Sequence, residues 1–428
     1  MTAAEPRPEG VAALVDDLFR REAGRLTATL ARVFGPAYLS LAEEVVQDAL
    51  VQALARWPYH GVPDRPEAWL AKVARNRALD AVRRGLRLRA LEPELVRAFG
   101  RLDEAADAPD AARFARELAD DQLGLMFACC HPSLPRPAQV ALTLKTLGGF
   151  GVAELARAFL VSEVTIAQRI TRAKRHIREH GIEFAIPAPE LVAARRGAVL
   201  ECLYLMFTEG HAAARGRDLV REDVCRESLR LTMLLAEHPL AGAPEAHALA
   251  ALMMFQAARF PARIDARGDL KPLADQDRGL WDAGLIAEGH GALARAMGAD
   301  ELSVYHLEAG IAGCHAAAAS WRDTDWPAIL GYYDLLLALR PSPVVALNRA
   351  VALAMTDGPE QGLAALDAID HAGALAAYHL LPATRGELCF RLGRRAEAAG
   401  HFQAALALSR TEPERRHLAR RIAACAPE

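Results

Sequence analysis

A chain of 428 residues with a formal net charge of only −3 is long enough for two or three domains and is, taken whole, neither a polycation nor a polyanion. Its 52 % apolar content supports packed cores and excludes wholesale disorder, and no run of about 18 apolar residues is present to span a membrane. Aromatic residues make up only 6 %, and abundant Ala, Leu and Arg favour helices over sheets, so the expected fold class is all-α.

Numbers 1–10, MTAAEPRPEG, read as a short leader without the apolar core of a signal peptide, which suits a cytoplasmic protein. Residues 11–84 read as a first helical domain. Its key helix is Leu41 to Trp57, LAEEVVQDALVQALARW. Val46, Leu50, Ala53 and Trp57 fall within a narrow arc and should face the core. Glu44, Asp48, Val51 and Ala55 lie opposite, and an apolar Val51 between carboxylates suits a partner with basic and apolar contacts. The segment Trp57 to Asp64, WPYHGVPD, reads as a proline-stiffened loop carrying Tyr59 and His60, able to hold an unstacked base. A second helix is expected over Pro66 to Arg84, PEAWLAKVARNRALDAVRR, with Pro66 in its first turn. Trp69, Val73, Asn76 and Asp80 share one stripe, so Asn76 and Asp80 are expected to satisfy buried donors where Trp69 packs. Lys72, Arg75 and Arg83 form a neighbouring phosphate-sized strip, within a segment (65–89) of eight basic and two acidic residues.

Residues 85–115 read as an acidic linker with at most one helical piece; it carries Glu92, Glu94, Asp103, Glu104, Asp107 and Asp110. Residues 116–180 read as a second helical domain. Its stretch VAELARAFLVSEVTIAQRITRAKRHIR, Val152 to Arg178, has the pattern of two short helices and a tight turn. Leu155, Ala156 and Phe159 make the inner face of the first helix, Leu160-Val161-Ser162 the turn, and Ser162 the N-cap of the second. Ile166, Ile170, Ala173 and Ile177 share the inner stripe of that helix. Gln168, Thr171, Arg172 and Arg175 lie opposite, where a helix seated in the major groove presents its base- and phosphate-reading groups. Cys129-Cys130-His131 invites a metal reading, but adjacent cysteines do not easily share one tetrahedral ion, and no second Cys/His pair lies nearby in the sequence. Seven cysteines without framework spacing read as free thiols.

Gly181 to Pro189 marks a boundary, and residues 190–428 read as one helical array punctuated at Pro239, Pro261, Pro341-Ser342-Pro343 and Gly358-Pro359. YYDLLLAL (332–339) resembles HFQAALAL (401–408), close to twice a 34-residue tetratricopeptide period. Ala383 to Leu408 fits one such helix pair best. Trp281, Trp321, Trp326, Tyr332 and Tyr333 are expected mostly in its core, or else along a groove. The first 180 residues carry a net +3 and the remainder −6, so cationic patches sit in the first half.

Taken in order, the acidic helix, the Gly-Pro loop, WLAKVARNRALDAVRR, the acidic linker and a helix-turn-helix ending RAKRHIR resemble an extracytoplasmic-function sigma factor of bacterial RNA polymerase. The resemblance covers 11–180. ADDQLGLMFACCHPSL, LYLMFTEGHAAA, ADQDRGLWD and TDWPAILGYYDLLLALRPSPVVALNRAVA further resemble the subgroup with a tetratricopeptide-like C-terminal extension. The implied layout is sigma region 2 over 11–84, region 4 over 116–180 and a regulatory extension over 190–428. The resemblance implies that Glu44, Gln47, Asp48 and Val51 grip the β′ subunit of core RNA polymerase, with the β subunit a further partner. It implies that Tyr59, His60, Lys72, Arg75, Asn76, Arg77 and Arg83 hold melted −10 DNA. Gln168, Arg169, Thr171, Arg172 and Arg175 match the −35 recognition helix. No cofactor is implied, and a regulatory protein is a possible partner of the extension.

Two other classes fit parts of the pattern. A self-contained helix-turn-helix regulator with a helical sensory domain would share the reading helix but leave the Glu44, Asp48, Val51 face without a purpose. A helical-repeat scaffold would leave the arginine-rich helix without one. No Gly-rich phosphate loop, Gly-x-Ser-x-Gly elbow or His-Glu-x-x-His occurs, so nothing in the sequence supports an enzyme.

Overall fold

Periodic burial of Ala, Leu and Val every third or fourth residue gives twenty α-helices and no β-strand among the described residues. The computed structural model describes residues 22–84, 89–104, 111–159, 161–211, 222–265, 271–298, 302–369, 375–409 and 411–426. The chain divides into two units, 1–206 with 237–242, and 207–236 with 243–428.

In the first unit, α1 (22–34), α2 (Leu39–His60), α3 (Pro66–Arg84) and α4 (Glu92–Glu104) make one bundle. Leu26, Leu30 and Phe34 of α1, Val46, Leu50 and Trp57 of α2, Leu70, Ala74 and Val82 of α3, and Leu95 and Phe99 of α4 are all buried. The α2 core stripe thus lies where its periodicity places it. The stretch read as a linker contains α4, which packs on α3 through Leu95, Ala98 and Phe99. Pro93 sits in its first turn, where a missing N–H costs nothing. Numbers 85–88 and 105–110 of that stretch lie outside the described residues.

A second bundle of the same unit comprises α5 (Ala111–Cys129), α6 (Arg136–Thr146), α7 (Val152–Ala158), α8 (Glu163–Glu179) and the start of α9 (Pro189–His211). Phe127, Leu142, Phe150, Leu155, Ile166, Ile170, Ala173 and Ile177 are buried in it. Gly24 brings α1 against this bundle: a Cβ there would stand 1.9 Å from the carbonyl oxygen of Leu147. A side chain at position 24 is therefore sterically forbidden without moving α1.

The second unit runs from the end of α9 through α10 (Glu222–Ala236), α11 (Pro244–Ala257), α12 (Phe260–Arg263), α13 (Ala283–Ala296) and α14 (Val304–Ala317). Six further helices follow: α15 (Trp326–Leu339), α16 (Pro343–Thr356), α17 (Pro359–Asp367), α18 (Leu380–Arg391), α19 (Arg395–Leu408) and α20 (Glu412–Ala424). From α13 on, each packs on the next. α11 is apolar on nearly every side and is wrapped by α10, α13 and α14. From α14 onward three local cores succeed one another, around Ile329, Leu366 and Phe402. α18 and α19 form the expected helix pair over 383–408, turning at Gly393 with φ +75°. Gly386 has no room for a Cβ, which would meet the Phe402 ring at 2.8 Å. Trp281 and Trp326 are buried, while Trp321, Tyr332 and Tyr333 are half-buried.

Candidate core-polymerase and nucleic-acid interface

The outer face of α2 is built by the same periodicity that buries its inner face. Glu44, Gln47, Asp48 and Val51 are all exposed and succeed one another at three- and four-residue steps. Val51 is 63 % exposed, and Leu54, one turn further and not anticipated, is 47 % exposed. The result is an apolar end on an acidic strip, with no core for the two side chains to join.

The proline-stiffened loop begins later than its sequence suggested. Trp57, Pro58, Tyr59 and His60 remain helical, and α2 ends at Gly61, whose N–H bonds to Trp57 O at 3.0 Å with φ +79°. Burial of the Trp57 ring, edge-on to Trp69 at 5.5 Å, holds this last turn in spite of Pro58. Tyr59 is 84 % exposed and His60 is exposed, so both project from a helix end rather than from a loop.

On α3 the buried face is Leu70, Ala71, Ala74, Ala78, Leu79 and Val82. Asn76 and Asp80 are exposed, which corrects the expectation that they satisfy buried donors beside Trp69. Trp69 is only half-buried, so the true core stripe runs one residue over. Lys72, Asn76 and Arg83 are exposed, and Arg75 and Arg77 are half-buried. Arg77 points back to α2: with the Gln52 amide oxygen turned toward it, its Nε donates at 3.1 Å. Arg83 Nε donates to Glu92 Oε1 at 3.1 Å. Arg77 and Arg83 are thus braced by neighbours, which orients the strip.

Ser162 caps α8, its Oγ accepting from Thr165 N at 3.1 Å. Leu160 lies outside the described residues. Ile166, Ile170, Ala173 and Ile177 are buried as expected, and Gln168, Thr171, Arg172 and Arg175 are exposed, with Arg169 half-buried. Phe159 is half-buried beside the buried Leu155 and Ala156. At the C-terminal end, His176 Nε2 lies 2.8 Å from Ser133 Oγ, which also bonds His131 Nδ1 at 2.7 Å. Sequence reasoning missed Lys174: its Nζ bonds Glu43 Oε2 at 2.5 Å, joining α8 to α2. Beside this pair a cleft of about 260 Å³ is lined by Pro36, Leu39 and Ser40 on one side and by Ile170, Thr171 and Arg175 on the other.

Cys129 and Cys130 are fully buried. Cys129 Sγ contacts Thr146 Oγ1 at 3.3 Å and Cys130 Sγ contacts Thr143 Oγ1 at 3.5 Å. Burial pushes the Cys129 thiol far above its ordinary range, so it stays a protonated packing group. His131 turns away to Ser133. These three residues do not converge on one point.

Residues 18–87 match the sigma-70 region 2 family, and residues 125–177 match the sigma-70 region 4 family. Residues 195–297 match a family of unknown function, DUF6596. The chain is a sigma factor of the extracytoplasmic-function-like type, with a C-terminal extension. The sigma factor is similar to a protein of Rhizobium meliloti (strain 1021) described only as uncharacterized, with 42 % identity over 378 residues and 88 % of each chain covered. No solved structure matches the chain. Region 2 coincides with the bundle holding α2 and α3, and region 4 with that holding α8. Families of this kind are DNA-binding transcription regulators, whose regions 2 and 4 imply core RNA polymerase and promoter DNA as partners. Among the described residues no helix is long and apolar enough to cross a membrane.

Proposed function

We propose that this sigma factor docks on the β′ subunit of core RNA polymerase through Glu44, Gln47, Asp48 and Val51, and thereby directs initiation at a two-element promoter. The observation that carries the reading is the α2 outer face, exposed and acidic with Val51 and Leu54 uncovered at its end. Tyr59 and His60 receive unstacked −10 bases, and Lys72, Arg75, Asn76, Arg77 and Arg83 hold the strand beside them. Gln168, Arg169, Thr171, Arg172 and Arg175 read the −35 element from the major groove. Neither patch is strong enough alone; tethering both to one polymerase raises the effective concentration of each. The extension, whose last helices stack as tetratricopeptide-like pairs, controls this activity.

The test is in vitro transcription on genomic promoter fragments with purified core polymerase. Specific transcripts appear only when the chain is added, and their yield changes when residues 207–428 are removed. Tight duplex binding with no requirement for polymerase would instead identify a self-contained regulator.

A further inference from the structure

No role above uses the basic cluster in the first half of the extension. Arg259 follows α11, Arg263 ends α12, and Arg278 opens the short turn Arg278–Leu280. Arg259 lies within electrostatic reach of the other two, His211 within reach of Arg259 and Arg263, and His315 within reach of Arg259 and Arg278. All five side chains are partly buried, yet each keeps some access to solvent.

Their hydrogen-bond partners among the described residues are neutral. Arg259 donates to Gln276 Oε1 at 3.4 Å and to Gln256 Oε1 at 3.0 Å. Arg263 Nη1 donates to His211 O at 3.0 Å. Arg278 donates to His315 O at 2.7 Å, Ala318 O at 2.6 Å and Thr324 Oγ1 at 3.0 Å. Among the described residues no carboxylate is ion-paired with any of the three, and Asp323 is the one opposite charge acting on Arg278. Arg259 Nη2 and Arg263 Nε and Nη2 donate to no atom of the described residues. Four further buried ring nitrogens lack a partner there: His211 Nε2, His315 Nδ1, Trp281 Nε1 and Trp326 Nε1. Trp281 lies under two of the guanidiniums, 5.6 Å from Arg259 Cζ and 5.0 Å from Arg278 Cζ.

Like charges gathered away from water destabilise a fold unless something negative joins them. The strain is visible in the groups themselves: burial, then repulsion from Arg263 and Arg278, lowers the Arg259 pKa to about 10. A surplus of forked donors, partial access and no carboxylate partner among the described residues are the features of a site awaiting an oxyanion. A single carboxylate would answer one guanidinium. A phosphoryl group brings nearly two negative charges and three acceptor oxygens, which suits a cluster of three.

We propose that Arg259, Arg263 and Arg278, with His211 and Trp281, form a binding site for a phosphoryl group, supplied by free phosphate or by a small phosphorylated metabolite. The extension is then a ligand-binding module, and phosphate is read on the free chain with no polymerase present, so this binding and promoter activity succeed or fail separately.

The full-length chain is titrated calorimetrically with inorganic phosphate at constant ionic strength, against chloride and acetate. Phosphate binds saturably, one per chain, and raises Tm, whereas acetate does neither. Arg259→Gln and Arg263→Gln each weaken phosphate binding about tenfold or more, the loss expected for one charge-assisted hydrogen bond. Arg340→Gln, at the exposed end of α15, leaves it unchanged. Glucose 6-phosphate distinguishes the sources: tighter binding than phosphate indicates a metabolite, and equal or weaker binding indicates the free ion. If wild-type chain responds to phosphate no more than to chloride or acetate, the cluster is neutralised internally and the proposal is wrong, whatever the variants do. Folded Arg259→Gln and Arg263→Gln chains that bind phosphate as wild type does would overturn it equally.

Discussion

Lys174 Nζ and Glu43 Oε2 meet at 2.5 Å, linking the helix that presents the arginine face to the helix that presents the acidic face. Both side chains are shielded, at 16 % and 13 % exposure, so removing one partner leaves the other charge poorly hydrated and unpaired. The proposed function asks the residues on α8 and those at the end of α2 and on α3 to reach two separate promoter elements, whereas α8 and α2 are clasped together by this pair. On that proposal the first unit has to open when it engages polymerase. Lys174→Glu, or Glu43→Lys, should expand the free chain and raise DNA binding in the absence of polymerase, and the double swap should restore compaction. Small-angle scattering and a labelled-duplex titration check this; unchanged dimensions in both single variants would refute it.

Glu44→Lys combined with Asp48→Lys should abolish docking on core polymerase while leaving the fold intact, because both residues are exposed. Val51→Asp should weaken docking about tenfold or more through the lost apolar contact. Affinity for core polymerase, measured by fluorescence anisotropy, is the readout, with circular dichroism as the control for folding.

Tyr59→Ala should slow promoter opening without altering closed-complex affinity for −35 DNA. Stacking of one base on an aromatic ring contributes about 1–3 kcal/mol, and at 84 % exposure the Tyr59 ring supports nothing in the core. Permanganate footprinting of the −10 region is the direct measurement. Equal reactivity in wild type and variant would remove Tyr59 from the base-capturing set.

Ser162→Ala should destabilise the first unit by about 1 kcal/mol, and Ser162→Gly by a few tenths, since the hydroxyl satisfies the Thr165 N–H at the start of α8. Urea denaturation of the full chain followed by a probe in the region 4 bundle tests it.

Acid should weaken the extension. In the folded chain burial, then Arg263 and Arg259, lower the His211 pKa to about 3, and burial, then Arg259 and Arg278, lower that of His315 to about 4. Unfolded, both take up protons near pH 6.5. Between those limits the unfolded state binds more protons, so stability falls as pH falls, by about 1.4 kcal/mol per unit for each histidine. The contribution is intact above pH 6.5. His211→Phe should flatten the slope of urea midpoint against pH between 6.5 and 4; an unchanged slope would contradict the assignment.

Both candidate faces were legible because α2 and α8 each bury one stripe at a 3.6-residue period, cleanly in α8 and with Val51 and Leu54 left outside in α2. Pro58 misled because a proline is a local signal, and burial of Trp57 outweighs it. Asn76 and Asp80 were misplaced by anchoring the α3 stripe on Trp69; a large aromatic at a rim turns the wheel by one residue. In α4, Leu95, Ala98 and Phe99 carried the helical signal, but the surrounding acids and Pro93 masked it. The Lys174–Glu43 pair joins positions 131 apart in sequence and has no local trace. The same holds for Arg259, Arg263 and Arg278, which share no local sequence pattern and come together only on folding.

The three successive small cores from α14 to α20 each close on their immediate neighbours, so no single hydrophobic centre holds that stretch together. Amide protection should consequently decline in steps toward Ala424, and the terminal helices should fray and reseat while the earlier ones stay shut. On that expectation the terminal helices form a loosely latched hook whose release would shorten the rigid part of the chain without melting the rest.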